Sequence, residues 1–127
     1  GKLSLTGVGT VCARMLGSPS KLEDKALDLI ISRKPGGYAG ANLYSWYYHS
    51  QAAFQKQGKH WRDYNDSYQM VVAKAQQQDG SWPAGGGHAN STGADAQLYS
   101  TCLCTLMLEV YYRYLPLNSL DWMKEEK

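Results

Sequence analysis

Charge is in short supply. Only 19% of the residues are Asp, Glu, Lys or Arg, and thirteen basic against eleven acidic side chains leave a formal net charge of +2. No basic stripe of the kind that neutralises phosphates can form, which argues against a nucleic-acid partner. Long apolar runs are lacking as well. The longest apolar-leaning stretch, Ala94 to Glu109, is interrupted by Asp95, Gln97, Ser100 and Thr101. It falls short of the roughly 20 residues that span a bilayer, so no membrane span is expected. Cysteine is scarce and odd in number. Cys12, Cys102 and Cys104 lie in apolar helical runs, which suits buried reduced thiols better than a disulfide framework and leans toward a reducing compartment. No signal peptide is legible, and with Gly1 in place of Met the natural N-terminus is expected to lie elsewhere.

What is present is material for a core. A hydrophobic content of 43% over 127 residues fits one compact domain, residues 1–127. The segment Gln76-Gln77-Gln78-Asp79-Gly80-Ser81-Trp82 has a weaker echo in Ser32-Arg33-Lys34-Pro35-Gly36-Gly37-Tyr38, with Gly36 and Gly80 44 residues apart. Each copy follows an amphipathic helix and precedes an aromatic-rich one. The first amphipathic helix is predicted to start at Ser20 with a Ser20-Glu23 capping box. Leu22, Ala26, Leu27, Ile30 and Ile31 form its dry face, and Lys21, Glu23, Lys25 and Asp28 face outward. The second is predicted from about Asp66 to Gln78.

Three further helices carry apolar residues around most of their circumference: Leu3 to Leu16, with Gly7 and Gly9 weakening its start, Leu43 to Gln57, and Gln97 to Tyr114. The expected order is therefore inner, outer, inner, outer, inner. A Gly-rich insertion from Pro83 to Gly93 lengthens the second connection, and Pro116 stops the last helix. The fold class predicted is all-α, about two and a half helical hairpins.

At Gln76, Gly80 and Trp82 the chain resembles the QW repeat of squalene-hopene cyclases, and with it the terpenoid cyclase and protein prenyltransferase superfamily of α/α toroids. The resemblance covers most of the chain as repeat architecture. It implies a partial ring of about five main helices, the C-terminal part of a larger toroid. In the motif, Gln76 is expected to bond open helix-end groups and stack on Trp82, with Gly80 supplying the turn and Gly36 and Tyr38 as the degenerate copy. Inner helices apolar on nearly all sides would leave exposed edges, to be covered by self-association or by the missing half of the toroid.

The catalytic signatures that the resemblance implies are missing. No Asp-x-Asp-Asp acid occurs, and Asp95 reads as a helix N-cap. A prenyltransferase-like zinc site could draw on Cys102, Cys104 and His88. However, residues two apart on a helix point about 200° apart, so structural thiols are the better reading. A Gly-Cys-Gly-Glu-Gln thioester loop is absent. No metal and no cofactor are expected. His49 is either a hydrogen-bonded core residue or a general base in a concave site. His60, beside Trp61, reads as a surface turn. Ten tyrosines and four tryptophans either fill inter-helix space or line a pocket for a hydrophobic or glycan ligand, with Tyr44, Trp46, Tyr48 and His49 as its candidate residues. The expected function is a non-catalytic binding or scaffold module. The alternatives are a fragment of an isoprenoid-processing toroid enzyme, or a polysaccharide-processing one using Asn42, Tyr44, His49 and Asn90.

Overall fold

The structure, a computed structural model, describes residues 3–18, 21–85 and 93–113. Its elements are helices: α1 Leu3–Met15, α2 Glu23–Ser32, α3 Leu43–Lys56, α4 Gly58–Lys74, α5 Ala94–Leu108 and the short α6 Val110–Arg113. The fold is all-α, with no strand among the described residues.

Helix α3 is central and packs against α1, α4 and α5. Its start is set by Asn42, whose Oδ1 accepts a hydrogen bond from Ser45 N at 3.0 Å. A short polar side chain at this position satisfies a backbone donor that the first turn cannot. Its end is set by Gln57 and Gly58, both at φ 62°, which turn the chain straight into α4. Gln57 Nε2 donates to Phe54 O and thereby occupies one of the terminal carbonyls.

The helix directions follow from the contacts. Gly7 lies against Tyr48 and His49, while further along both helices Arg14 and Lys56 converge on Glu23, so α1 and α3 run parallel. Tyr99 bears on Tyr44 near the starts of α5 and α3. Tyr111, just past α5, meets Phe54 near the end of α3 with ring centroids 6.2 Å apart. Helix α5 therefore runs the same way. Helices α2 and α4 return between them and touch each other, with His60 Nε2 3.1 Å from Asp28 Oδ1. The result is two layers: α1, α3 and α5 in a row, and α2 and α4 behind. Between the layers lies a core of Leu27, Ile30, Phe54, Trp61, Tyr64, Tyr68, Val72 and Met107.

Several local expectations are corrected. Helix α4 begins at Gly58, not Asp66, so His60 and Trp61 sit in its first turn and Trp61 is buried. Trp61, Tyr64 and Tyr68 hold this polar stretch in the helix by facing the core at helical spacing. Helix α2 begins at Glu23 with Leu22 as N-cap and no side-chain cap bond; Ser20 lies outside the described residues. Glu23 is not on the outer face. It is 8% exposed, with its carboxylate held by Arg14 and Lys56. Helix α5 starts at Ala94 with Gly93 as N-cap, so Asp95 stands in the first turn rather than capping it. The helix is interrupted at Glu109 before α6, and Tyr114 and Pro116 lie outside the described residues. Of the cysteines only Cys104 is buried; Cys12 and Cys102 are exposed.

The connection from α4 to α5 is tied at both ends. The Trp82 indole Nε1 donates to Val72 O at 2.7 Å in the last turn of α4. Trp82 N donates to Thr101 Oγ1 at 3.1 Å, and Gly85 N to Ser100 Oγ at 2.9 Å, both on α5. Trp82, not Gln76, therefore serves the helix terminus. Gln76 Nε2 reaches only Gly80 O, at 2.9 Å, across its own turn. Gly80 has φ 84° and supplies the left-handed turn expected of it, whereas Gly36 does not adopt a positive φ. The echo at residues 32–38 thus shares its spelling, not its conformation. Tyr38 nevertheless joins the two loops, its hydroxyl donating to Pro83 O at 2.8 Å.

Candidate functional site: a tyrosine-bearing face on α3

The four sequence candidates divide between two sides of α3. Tyr44 and Tyr48 are one helical turn apart, with ring centroids 4.9 Å apart, and Tyr47 meets Tyr48 edge-on at 5.0 Å. All three are half-buried. Trp46 and His49 do not join them: along the helix Trp46 lies about 200° from both Tyr44 and Tyr48, and His49 about 200° from Tyr47 and about 100° from Tyr48. Trp46 belongs to the core. His49 is buried toward α1 and α4: its Nε2 lies 3.1 Å from Leu3 O, and its ring stands edge-on to Tyr64 with centroids 5.9 Å apart.

The tyrosine face is completed by groups that sequence reasoning missed. Burial, and then the neighbouring Tyr44, push the Tyr48 hydroxyl above its ordinary pKa, with Cys12 of α1 and Tyr99 of α5 adding to the effect. Tyr99 itself is raised by burial and by Tyr44. Three parallel helices thus contribute to one patch. Along α3 the line continues through Gln51 and Gln55, both buried; the signal in the sequence is Tyr44, Tyr48, Gln51 and Gln55 at i, i+4, i+7 and i+11. Gln51 Nε2 has no hydrogen-bond partner among the described residues. A buried donor without a partner is costly, about 1–3 kcal/mol, and so marks a place where an acceptor is favoured.

The other candidates for chemistry are committed elsewhere or fall outside. His49 is held in its neutral form by burial, which lowers its pKa, only partly opposed by its bond to Leu3 O. This nitrogen–carbonyl contact orients the ring for packing. Asn42 is the α3 cap. Cys104 is buried, with its thiol pushed up to about 11, chiefly by desolvation, and Sγ 3.8 Å from the Tyr38 hydroxyl. That is the environment of an inert thiol rather than a thiolate ligand. Cys102 faces out on another side of α5, as the 200° rule requires. His88 and Asn90 lie outside the described residues, among which no group of three or more His, Cys, Asp or Glu side chains could hold a metal ion. No helix among the described residues is long and apolar enough to cross a membrane. Comparison with protein-family models, curated proteins and solved structures found no match.

Proposed function

We propose that this chain is a non-catalytic binding module that holds a neutral ligand with apolar faces, a hydrophobic chain or a glycan, against the tyrosine-bearing side of α3. The observation that carries this reading is the convergence of Tyr44, Tyr47 and Tyr48 with Tyr99 on a half-buried patch between parallel helices. Rings offer broad apolar contact, and their hydroxyls offer hydrogen bonds that orient a ligand without attracting charge. The two layers with three parallel helices in one row are also what an arc of an α/α toroid requires, which supports the resemblance of the Gln76-Gly80-Trp82 loop to the terpenoid cyclase and prenyltransferase superfamily. The engagement of His49 by Leu3 O favours binding over proton transfer.

Titration of chain carrying isotope-labelled tyrosine rings with farnesol and, separately, with a cello-oligosaccharide tests this reading. Saturable shifts of Tyr44, Tyr48 and Tyr99 resonances with one of them, lost in Tyr44→Ala/Tyr48→Ala, are the expected result. Shifts confined to other tyrosines, or none with either probe, would sink it.

A further inference from the structure

We propose that this chain associates head to tail with further copies of itself, the outer edge of α5 on one copy seating in a groove between α1 and α2 of the next. This rests on the two ends of the α1–α3–α5 row and is independent of the tyrosine face.

The groove has a volume of about 210 Å³ and is lined by Leu5, Gly9 and Ala13 of α1 and by Leu22 and Ala26 of α2. Its one carboxylate, Glu23, is neutralised by Arg14 and Lys56, so the lining is apolar in effect. Gly9 forms the notch. A Cβ there would meet nothing within 4 Å, whereas at Gly7, on the opposite side of the helix, it would strike His49. The groove therefore faces away from α3, at the open end of the row. Leu5 and Leu22 flank it at 59% and 61% exposure. A volume below the roughly 300–1,000 Å³ of small-molecule pockets suits one or two side chains of a docked helix.

The other end of the row presents such a helix. Five exposed residues of α5 and its C-cap, Asp95, Leu98, Cys102, Thr105 and Glu109, fall on one line, with Leu98 63% exposed. This edge is apolar in the middle and acidic at both ends. Beside the groove, at the start of α2, stands the opposite charge: the exposed Lys25 shares the α2 face of Leu22 and Ala26, and Lys21 precedes the helix. Two α5 edges meeting each other would set acid against acid, while α5 meeting α1 and α2 can set one acidic end of the edge against Lys21 and Lys25 beside an apolar centre. Charge complementarity therefore selects the head-to-tail contact over a two-fold one.

Sedimentation velocity of the purified chain under reducing conditions, over a range of concentrations, tests this. The wild type is expected to grow in mass with concentration. Gly9→Leu fills the notch and Leu98→Asp spoils the edge, so each alone should remain monomeric. Mixed, they should form a one-to-one dimer, because each retains the surface the other has lost. Lys25→Glu should weaken association about tenfold, and combining it with Asp95→Lys should restore it. All four positions face open space or solvent, so each variant should keep a cooperative thermal transition near that of the wild type, with Gly9→Leu melting at or above it because a helical glycine is removed. A wild type that is monomeric throughout, or a mixture of natively melting variants that fails to dimerise, would overturn the proposal.

Discussion

Gly7 lies so close to His49 that a methyl group on its Cα would sit 2.7 Å from the imidazole Cδ2 and 3.1 Å from the Tyr48 carbonyl carbon. This approach fixes the packing of α1 on α3, and it lets His49 Nε2 reach back to Leu3 O at 3.1 Å. Ring and backbone are both held, so neither neighbour can yield.

Gly7→Ala is therefore expected to destabilise the fold by about 1–3 kcal/mol, despite the better helix propensity of alanine. Gly9→Ala, two residues on, meets no neighbour and is expected to stabilise it by about 0.5–1 kcal/mol. Urea unfolding of the pair checks this. Equal midpoints would show that α1 does not pack as described.

His49 also sets a pH dependence. Burial holds its folded pKa below the ordinary 6.5, while the unfolded chain titrates at that value. As pH falls below 6.5 the unfolded state takes up the proton first, so stability contributed by the neutral imidazole is present above 6.5 and declines below it. Urea midpoints measured from pH 7.5 to 5.5 should fall across that window, and His49→Gln should flatten this part of the slope. An unchanged slope in His49→Gln would place the titration elsewhere.

The sequence made the first and third helices plain because their apolar residues recur at helical spacing up to a clear break, at Gly17 in one case and Gln57-Gly58 in the other. Helix α4 was hidden at its start. His60, beside Trp61, reads as a surface turn, and only burial of Trp61, Tyr64 and Tyr68 against other helices reveals why this polar stretch is helical. The buried Glu23 was illegible for a related reason: its partners Arg14 and Lys56 come from two other helices. At the candidate site Tyr44 and Tyr48 were legible as a pair. Trp46 and His49 were grouped with them by nearness along the chain, although helical geometry sends them to other surfaces.

The Glu23 cluster yields a third expectation. Arg14 is 9% exposed beside it, so Glu23→Gln leaves a cation buried without its counter-charge and is expected to cost about 3 kcal/mol. Asp24→Asn, which removes the solvent-exposed partner of Lys56, should leave the urea midpoint nearly unchanged. If the two substitutions cost the same, Glu23 is not the buried centre of this cluster.

The fourth expectation separates Gln76 from Trp82 in the loop motif. Trp82 is 3% exposed and its indole donates to Val72 O at 2.7 Å, joining the end of α4 to the chain that enters α5. Trp82→Ala removes a large buried ring as well as that bond and should cost about 3–5 kcal/mol. Trp82→Phe keeps most of the ring but loses the donor. Because Val72 O also accepts from Ala75 N at 3.1 Å, it is not left without a partner, and the polar part of the loss should stay near 1 kcal/mol. Gln76→Ala removes a bond that is exposed to solvent and closes only its own turn, so it should cost less than either Trp82 substitution. Thermal unfolding of the three variants ranks them, and a Gln76→Ala loss as large as that of Trp82→Ala would mean that the glutamine, not the indole, holds the hairpins together.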